Sequence, residues 1–175
     1  TTLDIDFALV GVGIQPNTQL ADAAGLTLNN GIETNALGQT SQSKIWAAGD
    51  CASFPYQGER IRLESVPNAI DQAEVVAANM LGAQKAYHAT PWFWSDQYDV
   101  KLQIAGLNQG FENVVTRIGE AGRSHWYYKA GQVLAVDAMN DPRAYMVAKR
   151  LIEAGKTADP ALVADPGSDL KALLR

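Results

Sequence analysis

The sequence predicts an α+β protein in two unlike parts, an α/β-type segment followed by a small antiparallel sheet with a helix. Three observations lead there. Phe7 to Val12 is continuously apolar, the pattern of a strand buried on both faces of a parallel sheet. Ala69, Ile70, Ala73, Val76, Ala77 and Met80 recur at helical spacing. From Pro91 onward the chain becomes aromatic and alternating, punctuated by turn residues.

The elements follow in order. Gly11, Gly13, Pro16 and Asn17 end the first strand. Gln19 to Gly25 predicts a short helix, and Leu26 to Leu37 an irregular or hairpin-like stretch turning at Asn29 to Gly31. Lys44 to Ala48 predicts a second strand whose tip carries Gly49 and Asp50. Ile61 to Leu63 is a short extended segment. Pro67 then takes the favoured first position of a helix that runs to Met80 or Leu81 and stops at Gly82. Its many alanines predict close packing against another element.

The second part opens with Trp92, Phe93, Trp94 and Tyr98. Strands are expected over Val100 to Ile104, Glu112 to Ile118, His125 to Lys129 and Val133 to Asp137, the last two joined across Ala130 and Gly131. Asp141 and Pro142 open a helix over Ala144 to Ala154, closed by Gly155. Residues 157–175 read as a polar tail ending in a short helix from Ser168.

Composition narrows the function. The chain has 175 residues, 47% of them hydrophobic, which suffices for a packed core in one domain or two small ones. Nineteen acidic against 14 basic residues give a net charge of −5, which argues against nucleic acid and anionic membranes as partners. No apolar stretch approaches the roughly 18 residues needed to cross a bilayer, and the first residues lack a signal pattern, so the expected compartment is the cytoplasm. A start at Thr1 that runs directly into FALVGVG is expected of a piece of a longer protein.

Cys51 is the single cysteine, which excludes an internal disulfide or a CxxC pair in this segment. Electrons, if the protein moves them, must travel on something other than its thiols. His88 and His125 have no partners at metal-ligand spacing, so no metal site is expected. There is no GxSxG or Walker pattern, GVGIQP lacks the third glycine of a dinucleotide fingerprint, and no catalytic residue is assigned.

Three places carry candidate chemistry. Asp50, beside a glycine at a strand tip, is either a turn aspartate capping its loop or a carboxylate open to two hydroxyl hydrogen bonds. Ser65, Val66, Pro67 and Asn68 form a helix start, either simply capped by Ser65 or offering its free N–H groups and positive end to a carbonyl or anion. Trp92, Phe93 and Trp94 are either core or the shield of a bound ring. The polar Ser95, Asp96 and Gln97 that follow favour the border of a site or interface.

Taken together, ALVGVGIQPN, TNALGQTSQSKIWAAGDCA, RLESVPNAIDQA and PWFWSDQY resemble the C-terminal part of the FAD-dependent, NAD(P)H-using ferredoxin reductases of the putidaredoxin reductase-like family. The resemblance covers nearly the whole chain. It implies that residues 1–14 end an NAD(H)-binding domain, 15–88 return to an FAD-binding domain and 89–175 form the C-terminal reductase domain. It implies FAD as cofactor and NAD(P)H as substrate, with Asp50 at the ribityl chain, Val66 near the pyrimidine end of the flavin, Trp94 beside the ring, and Gly49, Ser65 and Pro67 as further cofactor-binding residues.

The glycine fingerprints that would hold the ADP half of FAD and the NAD(H) are absent from these 175 residues, so the segment alone is expected to be inactive. Cys51 is read as a small buried side chain. The implied partner is a ferredoxin-type or rubredoxin-type electron acceptor. Residues 91–156 carry 8 basic and 7 acidic residues, and Lys101, Arg117, Arg123 and Lys129 are candidates for a local cationic face, with a merely solvated surface as the blander reading. A rival reading makes the segment a protein-docking module for an acceptor or second subunit, and self-association through surfaces that other domains would cover is a further expectation.

Overall fold

Two sheets organise the chain, and the computed structural model describes residues 2–120 and 122–174. The smaller sheet has three strands in the order β1 (Ile32–Glu33), β2 (Ala52–Tyr56), β3 (Glu59–Ile61). β1 runs parallel to β2, and β2 pairs antiparallel with β3. Before them a short helix, α1 (Gln19–Ala23), ends at Gly25 as expected. The turn at Asn29–Gly31 also forms, bridged by Leu28 and Ile32. Gly31 has a reason beyond its positive φ: a Cβ there would lie 2.7 Å from the Cys51 carbonyl oxygen.

Two expected strands do not form. Residues 7–12 have no regular secondary structure and are exposed, Phe7 at 83% and Leu9 at 96%. An apolar run becomes a buried strand only when it has neighbours on its edges and cover on its faces, and the described residues supply neither. Lys44 to Ala48 is likewise no strand. Only the single bridge Gln39–Trp46 forms there, and the true strand, β2, starts just after Asp50 rather than before it.

The helix α2 (Val66–Met80) stands where its spacing predicts, but its buried side does not. Its buried positions are Pro67, Asn68, Gln72, Val76 and Asn79, while Val66, Ile70 and Met80 are exposed. The amides earn burial through backbone contacts. Asn79 Nδ2 donates to the Leu37 and Lys85 carbonyls at 2.9 and 2.8 Å, and its Oδ1 accepts from the Lys85 amide at 2.7 Å. This helix therefore clips irregular loops by hydrogen bonds on one side and, Val76 apart, leaves the large members of its apolar stripe open.

The larger sheet is antiparallel throughout, with β4 (Trp92–Gln97), β5 (Val100–Gly106), β6 (Asn113–Ile118), β7 (Arg123–Lys129) and β8 (Gln132–Met139) in the order β4-β5-β8-β7-β6. α3 (Pro142–Glu153) packs across β5 and β8, capped by Asp141, whose Oδ1 accepts from the Ala144 amide at 3.0 Å. Trp126, Val136, Ala148 and Leu151 form the dry centre between sheet and helix.

The segment after residue 157 is not a polar tail. It folds into α4 (Pro160–Ala164) and a 3-10 turn over Leu170–Leu174, and Ala158, Val163 and Leu170 join the core. Arg117 is the reason it can. Buried on β6, its guanidinium donates to the carbonyls of Val163, Asp165, Pro166 and Ser168 and to the Ser168 hydroxyl. Arg117 is accordingly no part of an open cationic face, and Lys101 already faces Asp96 at 3.9 Å.

Candidate functional site

The site is built around a turn and a helix end. Gly49, Asp50 and Cys51 form a 3-10 turn that leads into β2. Gly49 is buried with φ +76°, and a Cβ on it would sit 3.4 Å from that of Ala69, so the turn rests against α2. Its amide donates to Gln72 Oε1 at 2.8 Å. On the other side Arg62 donates to the Asp50 carbonyl at 2.9 Å, while its second terminal nitrogen pairs with Glu64 at 2.7 Å. The turn is thus held from two directions, and Asp50 is left exposed.

Cys51 is partly exposed rather than buried, because the turn directs it outward, and its thiol donates to the Ala48 carbonyl at 3.5 Å.

The start of α2 is organised just as specifically. Ser65 stands at the cap position, yet its side chain makes no cap hydrogen bond. It is buried and donates instead to the Trp92 carbonyl at 3.0 Å. Pro67 has no N–H, so the first turn offers the amides of Val66 and Asn68, which by helix geometry have no acceptor within the helix. Val66 itself is 60% exposed. Asn68 is fixed from both ends, donating to the Leu63 carbonyl at 3.3 Å and accepting from Tyr87 Oη at 2.9 Å. Burial, then the nearby Asp71 charge, push the Tyr87 phenol up to about 12, so it is a firm donor at neutral pH.

Trp94 lies on β4, the edge strand of the larger sheet, and is 47% exposed. Its ring centroid is 5.6 Å from that of Trp92, which packs on the larger core. Lys149 Nζ lies 5.7 Å from the Trp92 ring on its way to Glu153, so Trp92 is fixed and Trp94 is the outer member of the pair.

The structure therefore joins Gly49 and Asp50 to α2 through Gln72 and Ala69, and joins the start of α2 to β4 through Ser65. The contacts run through the backbone of Gly49 and Trp92, leaving the Asp50, Val66 and Trp94 side chains exposed. Arg62 and Gln72 were not singled out from the sequence. A signal for Gln72 was present: Asn68, Gln72 and Asn79 recur at helical spacing, a polar stripe as regular as the apolar one. Among the described residues no group of three or more metal-ligating side chains assembles, and no helix is long and apolar enough to cross a membrane.

Residues 92–174 match the family model for the reductase C-terminal domain, and residues 1–73 match that for pyridine nucleotide-disulphide oxidoreductases. Putidaredoxin reductase of Pseudomonas putida is 39% identical over 99% of the chain, and a ferredoxin–NAD(P)+ reductase of Sphingomonas is 42% identical over 95%. Over nearly its whole length the chain is similar to one part of the ferredoxin reductases. Among solved ferredoxin reductases, one from Rhodopseudomonas palustris superposes with a TM-score of 0.89 at 42% identity, covering 94% of this chain and 42% of that one. The reductase in the covalent putidaredoxin reductase–putidaredoxin complex gives 0.88 at 38% identity, over 99% and 43%. The chain spans 42% of the length of the Pseudomonas ferredoxin reductase and 41% of the Sphingomonas one.

Proposed function

We propose that this chain is the C-terminal portion of a flavoprotein that passes electrons from NAD(P)H through FAD to a ferredoxin-type iron–sulfur protein. The observation that carries the reading is the meeting of the Gly49–Asp50 turn with α2, whose cap hydroxyl is turned away toward Trp92. On this reading residues 1–14 close the nicotinamide-binding domain, 15–88 belong to the flavin-binding domain and 89–175 form the reductase C-terminal domain.

The residues present fit a flavin. An exposed carboxylate beside a buried glycine suits the hydroxyls of a ribityl chain, which need acceptors. The uncapped first turn of α2 presents amide donors and a positive dipole end to a ring carbonyl. Exposed Val66 and Trp94 supply apolar cover at its edge. When bound, FAD supplies the conversion of an electron pair into single electrons. The roles of the chain's own residues are then distinct: Asp50 anchors, Val66 and Asn68 offer amides, Ser65 and Pro67 keep those amides unoccupied, and Trp94 shields against water.

The segment is proposed to be inactive alone, because the half of the fold that binds the phosphates and nicotinamide is not encoded in it. Its exposed apolar run over residues 7–12 and the outer stripe of α2 favour self-association of the isolated chain. For the acceptor, Arg143, Arg150 and Lys171 line a cleft of about 620 Å³ around exposed Met146 and half-buried Leu174. A cationic rim with an apolar floor suits an acidic protein surface. A rubredoxin-type acceptor would use the same electrostatics.

The test is flavin retention in the full-length flavoprotein that this reading implies. Asp50→Ala is expected to lose FAD on gel filtration under conditions where the wild type keeps its flavin absorbance. Retention equal to wild type would remove the assigned role of Asp50. Replacing Arg143 and Arg150 by glutamate is expected to slow reduction of an acidic ferredoxin at low salt while leaving reduction of ferricyanide unchanged.

A further inference from the structure

We infer that Gln72 is the positioning residue that sets the geometry of the Gly49–Asp50 turn, a role that rests on the cofactor reading of Asp50. Gln72 is fully buried, at 0% exposure, in the middle of α2. Its amide orientation is fixed by chemistry. The Gly49 amide can only donate, so the Gln72 atom 2.8 Å away is the carbonyl oxygen Oε1. That orientation leaves Nε2 as a buried donor with no acceptor among the described residues.

An unmet buried donor is costly, so glutamine at this place gives up much of the stability that its one hydrogen bond contributes. An apolar residue would fill the same space without that cost. The property that only a carbonyl-bearing side chain of this length supplies is the hold on Gly49. That hold matters because Gly49 has positive φ, with Ala69 against one side, and the direction of the next residue follows from its dihedrals. Arg62 fixes the far end of the same turn through the Asp50 carbonyl. Asp50 thereby points outward from a rigid support on α2, whose own amino end is the neighbouring part of the site. A displacement of the turn would move the carboxylate relative to those amides without altering either group.

Three substitutions test this. Gln72→Met keeps the volume and removes the acceptor. In the 175-residue chain it is expected to raise hydrogen exchange at the Gly49 amide at least about 100-fold, with the amides of the Trp126 core unchanged. In the full-length flavoprotein it is expected to weaken FAD binding about tenfold. Gln72→Glu, which is neutral when buried and keeps a carbonyl oxygen, is expected to restore both values toward wild type. Unchanged exchange at Gly49 in Gln72→Met, or unchanged FAD affinity despite faster exchange, would overturn the inference.

Should Gln72→Met unfold the chain, the contact is read in the wild type as a through-hydrogen-bond coupling between Gly49 N and Gln72 Cδ, whose absence also overturns it. Asp50→Asn separates this from the cofactor reading. It leaves Gly49 protected and is expected to lose FAD; FAD retained at wild-type affinity with Gly49 still protected would sink the role of Asp50 and leave the Gln72–Gly49 contact standing.

Discussion

The Ser65 hydroxyl donates to the Trp92 carbonyl at 3.0 Å and makes no bond to the helix it precedes. A serine at a helix start ordinarily satisfies one of the free amides of the first turn. Here the same hydroxyl ties α2 to the first residue of β4, linking the part with the smaller sheet to the larger sheet. The first turn stays open as a consequence.

That relationship predicts distinguishable effects from two substitutions. Ser65→Ala removes the tie and is expected to cost about 1 kcal/mol, with a shift in tryptophan emission, in a denaturant titration followed by fluorescence. Ser65→Asp also loses the tie, because a carboxylate cannot donate to the Trp92 carbonyl, but it adds a cap acceptor for the free amides of α2 and cancels its positive end. Flavin affinity measured in the full-length protein is expected to fall with Ser65→Asp.

Alkaline pH acts through two phenols, one buried (Tyr128) and one half-buried (Tyr87). Burial, with the added charges of Asp71 and Asp159, pushes Tyr87 and Tyr128 from 10.0 to about 12. The folded chain keeps these protons after the unfolded chain has lost them. The stability they contribute is therefore complete below pH 10 and is lost as pH rises through 12. Thermal melts between pH 9 and 12 are expected to show a steep fall that is shallower in Tyr87→Phe. That variant also loses the hydrogen bond to Asn68 and starts lower at neutral pH.

Arg117 predicts a local rather than global failure. Five hydrogen bonds run from its guanidinium to residues 163–168. Arg117→Met is expected to cost at least about 2 kcal/mol, since several carbonyls lose their donor together. Limited proteolysis is expected to cut first after residue 157, with the β-sheet core intact.

The centre of the larger sheet is where truncation is expected to be most costly. Leu151 has no exposed surface and sits among Trp126, Val136 and Ala148. Leu151→Ala is expected to destabilise by about 2–5 kcal/mol in an equilibrium urea titration, whereas Ile70→Ala, on the open face of α2, is expected to change the isolated chain by less than about 0.5 kcal/mol.

Much of the fold was legible because it follows local rules. Asp141 and Pro142 opened α3, Gly25 closed α1, and alternation over residues 92–139 marked strands that the structure pairs into one sheet. The legible part of the site was its residue types: Gly49–Asp50 and Ser65–Val66–Pro67 stand where a turn meets a helix end. Arg62 and Gln72 fix that turn, and although a polar stripe marks Gln72, no spacing pairs it with residue 49 or Arg62 with residue 50.

The sequence by itself determined that α2 exists and that it has two faces, one apolar and one carrying Asn68, Gln72 and Asn79. Only the tertiary structure decided which face is covered. Periodicity describes a helix in isolation, whereas burial depends on what lies beside it, and beside α2 lie loops whose carbonyls and amides need partners more than apolar surface does. The same holds for residues 7–12, apolar enough for a buried strand but without neighbours to make them one, and for Val163 and Leu170, which an arginine on a distant strand draws into the core.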